Sequence, residues 1–191
     1  MSALASAPPG EPSAPSITSP FLAGGAEMGA RIRAHDWSAT PLGDPSLWPP
    51  SLRTIIGILL NSGQPMCIAW GAELTLIYND AYAAILGVRH PAALGRRLSD
   101  VWSDIWSDIA SLVDRAMAGE STCSEELYLA ILRHGSPQDT WWRFSYTTVR
   151  DESGGVGGLL IVCSDSTSKV LMERRQAFRI RRTRCPRRPF L

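Results

Sequence analysis

The sequence predicts an α+β domain, and three observations carry that reading. Residues 140–163 set an aromatic strand, Trp141-Trp142-Arg143-Phe144-Ser145-Tyr146, beside a second apolar strand across the turn Asp151-Glu152-Ser153-Gly154-Gly155. Two strands joined by a Gly-rich turn make a hairpin. Upstream, apolar residues recur at helical spacing twice, and between those two runs lies a second, shorter hairpin pattern. The order is two strands, short helices, a long helix, then three strands.

Each element has its own signal. Leu52, Ile55, Ile56, Leu59 and Leu60 fall on one helical stripe, with Ser51 as the expected cap and Asn61-Ser62-Gly63 as the stop. Strands are expected at 66–70 and 74–78, joined by Gly71-Ala72-Glu73. Asn79-Asp80 suits the cap of a short helix over 81–86 that Gly87 ends. The longest helix is expected from Ser99 to Gly119, because Val101, Trp102, Ile105, Trp106, Ile109, Leu112, Val113, Ala116 and Met117 trace one stripe. Its other face carries Asp100, Asp104 and Asp108, read as a solvated, mutually repelling face rather than a cation site. Strands over 123–132, 140–150 and 156–163 complete the set, with Trp142, Phe144, Tyr146 and Thr148 on one face of the middle one.

Length and composition set the frame. A chain of 191 residues has room for one domain of about 100–150 residues plus tails. Residues 1–26 are mostly Ala, Ser, Pro and Gly and are read as a disordered leader. They contain no Lys or Arg, so they lack the basic start of a secretory signal, and no apolar run reaches the ~18 residues of a membrane span. A cytoplasmic protein with reduced thiols is expected. Residues 29–50 read as irregular but packed onto the domain. Charge is divided sharply: 11 basic and 18 acidic side chains up to Glu173, about −7, then eight Arg and no acid, about +8.

The local sequences resemble those of a PAS sensory domain. Ala69-Trp70-Gly71-Ala72-Glu73-Leu74-Thr75-Leu76-Ile77-Tyr78-Asn79-Asp80-Ala81-Tyr82 looks like the family's opening hairpin and Asn-capped helix. His90-Pro91-Ala92-Ala93-Leu94-Gly95-Arg96 resembles the way its short helices are left through a Gly, and the last hairpin ends in Asp165-Ser166-Thr167. Ala34-His35-Asp36-Trp37-Ser38, Pro41-Leu42-Gly43 and Trp48-Pro49 resemble the leader of PAS domains at the N-terminal end of bacterial multidomain sensor histidine kinases. The resemblance spans residues 27–175. It implies a PAS fold: a five-stranded antiparallel sheet with helices on one face, preceded by a flanking amphipathic helix. The organisation expected is leader 1–26, flanking segment and helix 27–64, PAS domain 65–167, exit helix 168–180 and Arg/Pro-rich tail 181–191.

The same resemblance implies a sensory, signal-transducing module whose ligand, if it holds one, sits between sheet and long helix. Trp102, Trp106, Tyr128, Phe144 and Tyr146 are the pocket candidates, and Asp165 with Thr167 is the expected signal exit. Which cofactor it would hold is left open, but flavin and haem are not expected. Residues 81–98 lack the reactive Cys of a flavin photosensor, and 99–120 lack an axial His. Widely spaced Cys67, Cys123, Cys163 and Cys185 give no metal pattern. His35, His90 and His134 do not suit a phosphoacceptor and no ATP-binding domain follows, so no enzyme is expected in this chain. It reads as the input domain of a truncated two-component kinase, or else as a ligand-free PAS dimerisation or adaptor module. Expected partners are a small-molecule ligand, a second copy through the flanking helices or sheet, and a downstream kinase or effector, with no nucleic acid. Three readings of the Arg-rich tail stay open: a phosphate-binding arm, a signalling helix limited by Pro186 and Pro189, and out-of-frame translation. The last is favoured.

Overall fold

A computed structural model describes residues 20–133 and 136–183, with the side chains of 133 and 178–183 outside the description. The elements in chain order are α1 (Glu27–Ala34), α2 (Pro50–Leu60), β1 (Met66–Trp70), β2 (Thr75–Tyr78), α3 (Asp80–Leu86), α4 (Leu98–Val101), α5 (Trp106–Met117), β3 (Thr122–Arg133), β4 (Ser136–Arg150), β5 (Val156–Asp165) and α6 (Thr167–Thr183). The strands form one antiparallel sheet in the order β2-β1-β5-β4-β3. The α+β class, the five strands and the flanking helix α2 are as the sequence predicts. The last strand of the chain, β5, lies between β4, its hairpin partner, and β1, and so joins the β1–β2 hairpin to the rest of the sheet.

Alternation along β3 and β4 divides the sheet into two faces. Leu129, Ile131, Trp142, Phe144 and Tyr146 are buried, whereas Tyr128, Leu132 and Arg143 between them are exposed. Every residue of β1 and β2 is buried, so both faces of this hairpin are covered, and α2 packs against it. Leu52, Ile56 and Leu59 of α2 are fully buried there. Each fully buried aliphatic side chain contributes roughly 1.5–3 kcal/mol.

Several expectations are corrected. The long helix is two helices, α4 and α5, broken over residues 102–105. Asp104 holds the break: its carboxylate accepts the Leu132 N–H at 2.9 Å and pairs with the Arg89 guanidinium at 2.6 Å, pinning the turn to the end of β3. Asp100, Asp104 and Asp108 therefore share no single helical face. Residues 29–50 are not wholly irregular, since α1 occupies 27–34; the buried Trp37 and Trp48 pack edge to face at 4.9 Å. The disordered leader expected over 1–26 does not extend that far: Pro20–Leu22 form a helical turn and Leu22 is buried. Residues 1–19 and 184–191 lie outside the described residues, and with them most of the leader and tail readings.

Ser51 does not cap α2. Pro49 holds the cap position without a side-chain bond. Glu152, in the turn between β4 and β5, instead accepts the Ser51 N–H at 2.7 Å and its hydroxyl at 3.2 Å. A carboxylate at the positive end of a helix answers its unpaired N–H groups. Asp80 does the same for α1, accepting the Ala26 and Met28 N–H groups at 2.9 Å each. Glu125 and Glu126 do not alternate across the sheet, because a register shift between Ser124 and Leu127 leaves both exposed.

Candidate functional site

Between the sheet and helices α3, α4 and α5 lies a cavity of about 50 Å³. Alternate residues of β3 and β4 supply one wall, including Leu129, Ile131, Phe144 and Tyr146; Ile161 and Cys163 of β5 extend it. Tyr82 and Ile85 of α3 and Trp102, Ile105 and Ile109 close the other side. The hydroxyl of Tyr82 accepts the Trp102 indole N–H at 3.1 Å, and the two rings stand edge to face. The Trp142 indole donates to Thr140 Oγ1 at 2.8 Å, and that hydroxyl donates to the Leu129 carbonyl at 2.6 Å. Both wall tryptophans thus have their polar atom satisfied, as buried indoles require.

The cavity is electrically quiet. Burial pushes the hydroxyls of Tyr82 and Tyr146 well above the ordinary phenol value, and it pushes the Cys163 thiol up to about 12. Desolvation disfavours the charged form of each. Cys67, Cys123 and Cys163 are free thiols, and the described residues contain no cluster of three His, Cys, Asp or Glu suited to a metal ion.

Of the five pocket candidates, Trp102, Phe144 and Tyr146 line the cavity. Trp106 does not. Trp102, Ile105 and Ile109 face the cavity, while Trp106, the first residue of α5, lies half-buried beside it. Tyr128 is on the outer sheet face, 50% exposed, donating to Asp139 at 2.7 Å, with its ring tilted against that of Trp141 at 5.5 Å. Strand alternation could have told this: Tyr128 pairs with Trp141, out of phase with Trp142. Tyr82, Trp142 and Cys163 were missed as lining residues. Trp142 was legible from its place in the Phe144 and Tyr146 alternation, but Tyr82 and Cys163 come from elements whose facing only the packed sheet fixes.

Asp165 and Thr167, the residues expected at the exit, lie beside β4. Asp165 accepts the Thr167 N–H at 2.9 Å, and Thr167 Oγ1 accepts the Trp141 N–H at 3.0 Å. The Ser166 N–H donates to the Trp141 carbonyl at 2.7 Å. Further along α6, Val170 is buried and the Arg174 guanidinium lies 4.5 Å over the Trp141 ring. Trp141 thus holds the first two turns of α6 on the outer face, helped by Asp165 and by Glu126, which lies 3.9 Å from the Arg174 guanidinium; the neighbour of Trp141, Trp142, lines the cavity. No described helix is long and apolar enough to cross a membrane.

A family model described as the PAS fold matches residues 60–171, more than half of the chain. No curated protein matches. Among solved structures, an RNA-binding light-oxygen-voltage receptor is similar at 16% identity and a TM-score of 0.49, covering 74% of this chain and 42% of its own. The chain thus spans less than half of that receptor. A PAS domain from Colwellia psychrerythraea is similar at 13% identity and a TM-score of 0.46, with 61% and 98% covered. A sensory box sensor histidine kinase from Vibrio cholerae gives 13% and 0.43, with 60% and 91% covered.

Proposed function

The chain belongs to the PAS fold family, and from that premise we propose that it is a cytoplasmic sensory input module in which events at the cavity change how α6 is held. One observation carries this reading. Consecutive residues of β4 serve both ends: Trp142 lines the cavity, and Trp141 gives its N–H, carbonyl and ring to α6. A backbone shift of one residue in β4 cannot move one without the other. A ligand acts by favouring one of two such arrangements.

The output follows from the same reading. In the input domain of a two-component sensor histidine kinase, a change at α6 would set histidine autophosphorylation in a following domain. Asp165 and Thr167 fasten that exit. Coding DNA beyond residue 191 that carries a His-bearing dimerisation helix and an ATP-binding domain, in any frame, would support this origin; its absence would remove it.

The coupling itself is tested by Trp142→Leu, read by hydrogen exchange. Amides of residues 168–172 are expected to exchange at least tenfold faster while those of β1 hold. Unchanged exchange in α6 would defeat the proposal.

A second reading, a ligand-free dimerisation or adaptor module, draws on the outer sheet face, where Tyr128 and Leu132 are exposed. Native mass spectrometry separates the two: a retained extra mass favours the sensor, and a clean dimer favours the adaptor.

A further inference from the structure

The walls of the cavity decide what it can hold. None of its lining side chains carries a charge. Its polar groups are the hydroxyls of Tyr82 and Tyr146, the thiol of Cys163 and the indole N–H groups of Trp102 and Trp142, all of them neutral at neutral pH. The Tyr82 hydroxyl is already engaged by the Trp102 indole. A carboxylate or ammonium placed here would lose its hydration and find no counter-charge, and an unpaired buried ion is among the costliest arrangements in a protein.

Size is decided by the wall that can move. At about 50 Å³ the cavity is smaller than the roughly 150 Å³ that accepts a benzene ring. Ile85 and Trp142 are shared with an outer groove of about 330 Å³, lined also by Val88 and Leu132. Val88 is 75% exposed and Leu132 43% exposed, so this groove opens to solvent. Ile85 is half-buried with open space on its far side, whereas most of the other lining side chains are buried between the sheet and α4 and α5. Swinging the Ile85 side chain outward enlarges the cavity without moving a strand.

We propose that the cavity binds an uncharged, mainly apolar molecule of about one ring, admitted from the outer groove by outward movement of Ile85 beside Trp142. This rests on reading the cavity as the sensing site. Such a molecule would lie against Trp102, Phe144 and Trp142, and so against the strand that holds α6.

The test titrates the full chain with phenol, indole, benzoate and benzylammonium by calorimetry, with hydrogen exchange of α6 read in parallel. Phenol and indole are expected to bind at millimolar concentration or below, and the two ions at least tenfold more weakly. Ile85→Ala opens the route in advance and is expected to tighten phenol binding about fivefold; Ile85→Val gives a smaller change in the same direction should the alanine variant unfold. Ions binding as tightly as the neutral rings would overturn the proposal, as would phenol affinity that neither Ile85 variant changes. Neutral rings that bind without altering α6 leave the assignment standing and remove the sensory reading. No binding of either ring to wild type or variants removes the assignment and leaves sensing through a partner.

Discussion

Asn79 does with one side chain what three elements need. Its Oδ1 accepts the Met66 N–H at 3.1 Å and the Tyr82 N–H at 3.0 Å, capping α3 and starting β1. Its Nδ2 donates towards the carbonyls of Leu59, Ser62 and Gln64, which end α2 and lead into β1. The residue is 1% exposed, so nothing in solvent replaces these bonds. Asn79→Ala is expected to cost about 2–4 kcal/mol in urea unfolding, more than the loss of a cap alone. Cys163 supplies a prediction of different sign. Its folded pKa is raised from 9.0 to about 12 by burial, so the thiol's contribution is complete below the unfolded value and is lost as pH rises through the folded one. The urea midpoint is expected to fall between pH 9 and 12, and Cys163→Ala to flatten that slope. On the acid side the sense is reversed. The Ser153 hydroxyl and N–H, with the Gly155 N–H, hold the Asp151 carboxyl below its ordinary value, so its contribution fades as pH drops through the carboxylate range.

At the scale of elements, the flanking helices depend on carboxylates far away in sequence. Glu152 reaches α2 across 101 residues and Asp80 reaches α1 across more than 50. Neither helix caps itself by a side chain. Glu152→Ala is expected to destabilise the protein by about 1 kcal/mol and to speed amide exchange in the first turn of α2, with β3 unaffected. An identical rise throughout the sheet would show instead that the turn, not the helix end, depends on Glu152. These contacts also join the flank to the final hairpin, the element that carries α6. No periodicity could announce them, because a cap borrowed from another element leaves no local pattern. The sequence does show the strand alternation of β4, the stop at Asn61-Ser62-Gly63 and the Asn79 cap, since each is settled within one turn or one hairpin. The break between α4 and α5 is different. The apolar spacing runs through it, and the bonds of Asp104 to Arg89 and Leu132 that pin the turn join three separate elements.

For the whole molecule, the flank is part of the fold rather than an attachment to it. Leu22, Met28, Ile32, Trp37, Trp48, Leu52, Ile56 and Leu59 belong to the same buried cluster as the strands. Removing residues 1–60, which spares almost all of the segment that the family model matches, is expected to leave a chain that does not fold. Several side chains at roughly 1.5–3 kcal/mol each exceed the 5–15 kcal/mol by which a domain is stable. A sharp, two-state urea transition in residues 61–183 would refute this. Local chemistry in the sequence determined the α+β class, both hairpins, the amphipathic α2 and the inward facing of Trp102, Phe144 and Tyr146, because caps, Gly turns and side-chain period are short-range. Tertiary structure alone decided that β5 lies between β1 and β4, that Tyr128 faces outward and Trp106 aside, and that Tyr82 and Cys163 meet the same cavity. Those outcomes rest on strand order and on where the helix is broken, and both are set by contacts between residues tens of positions apart.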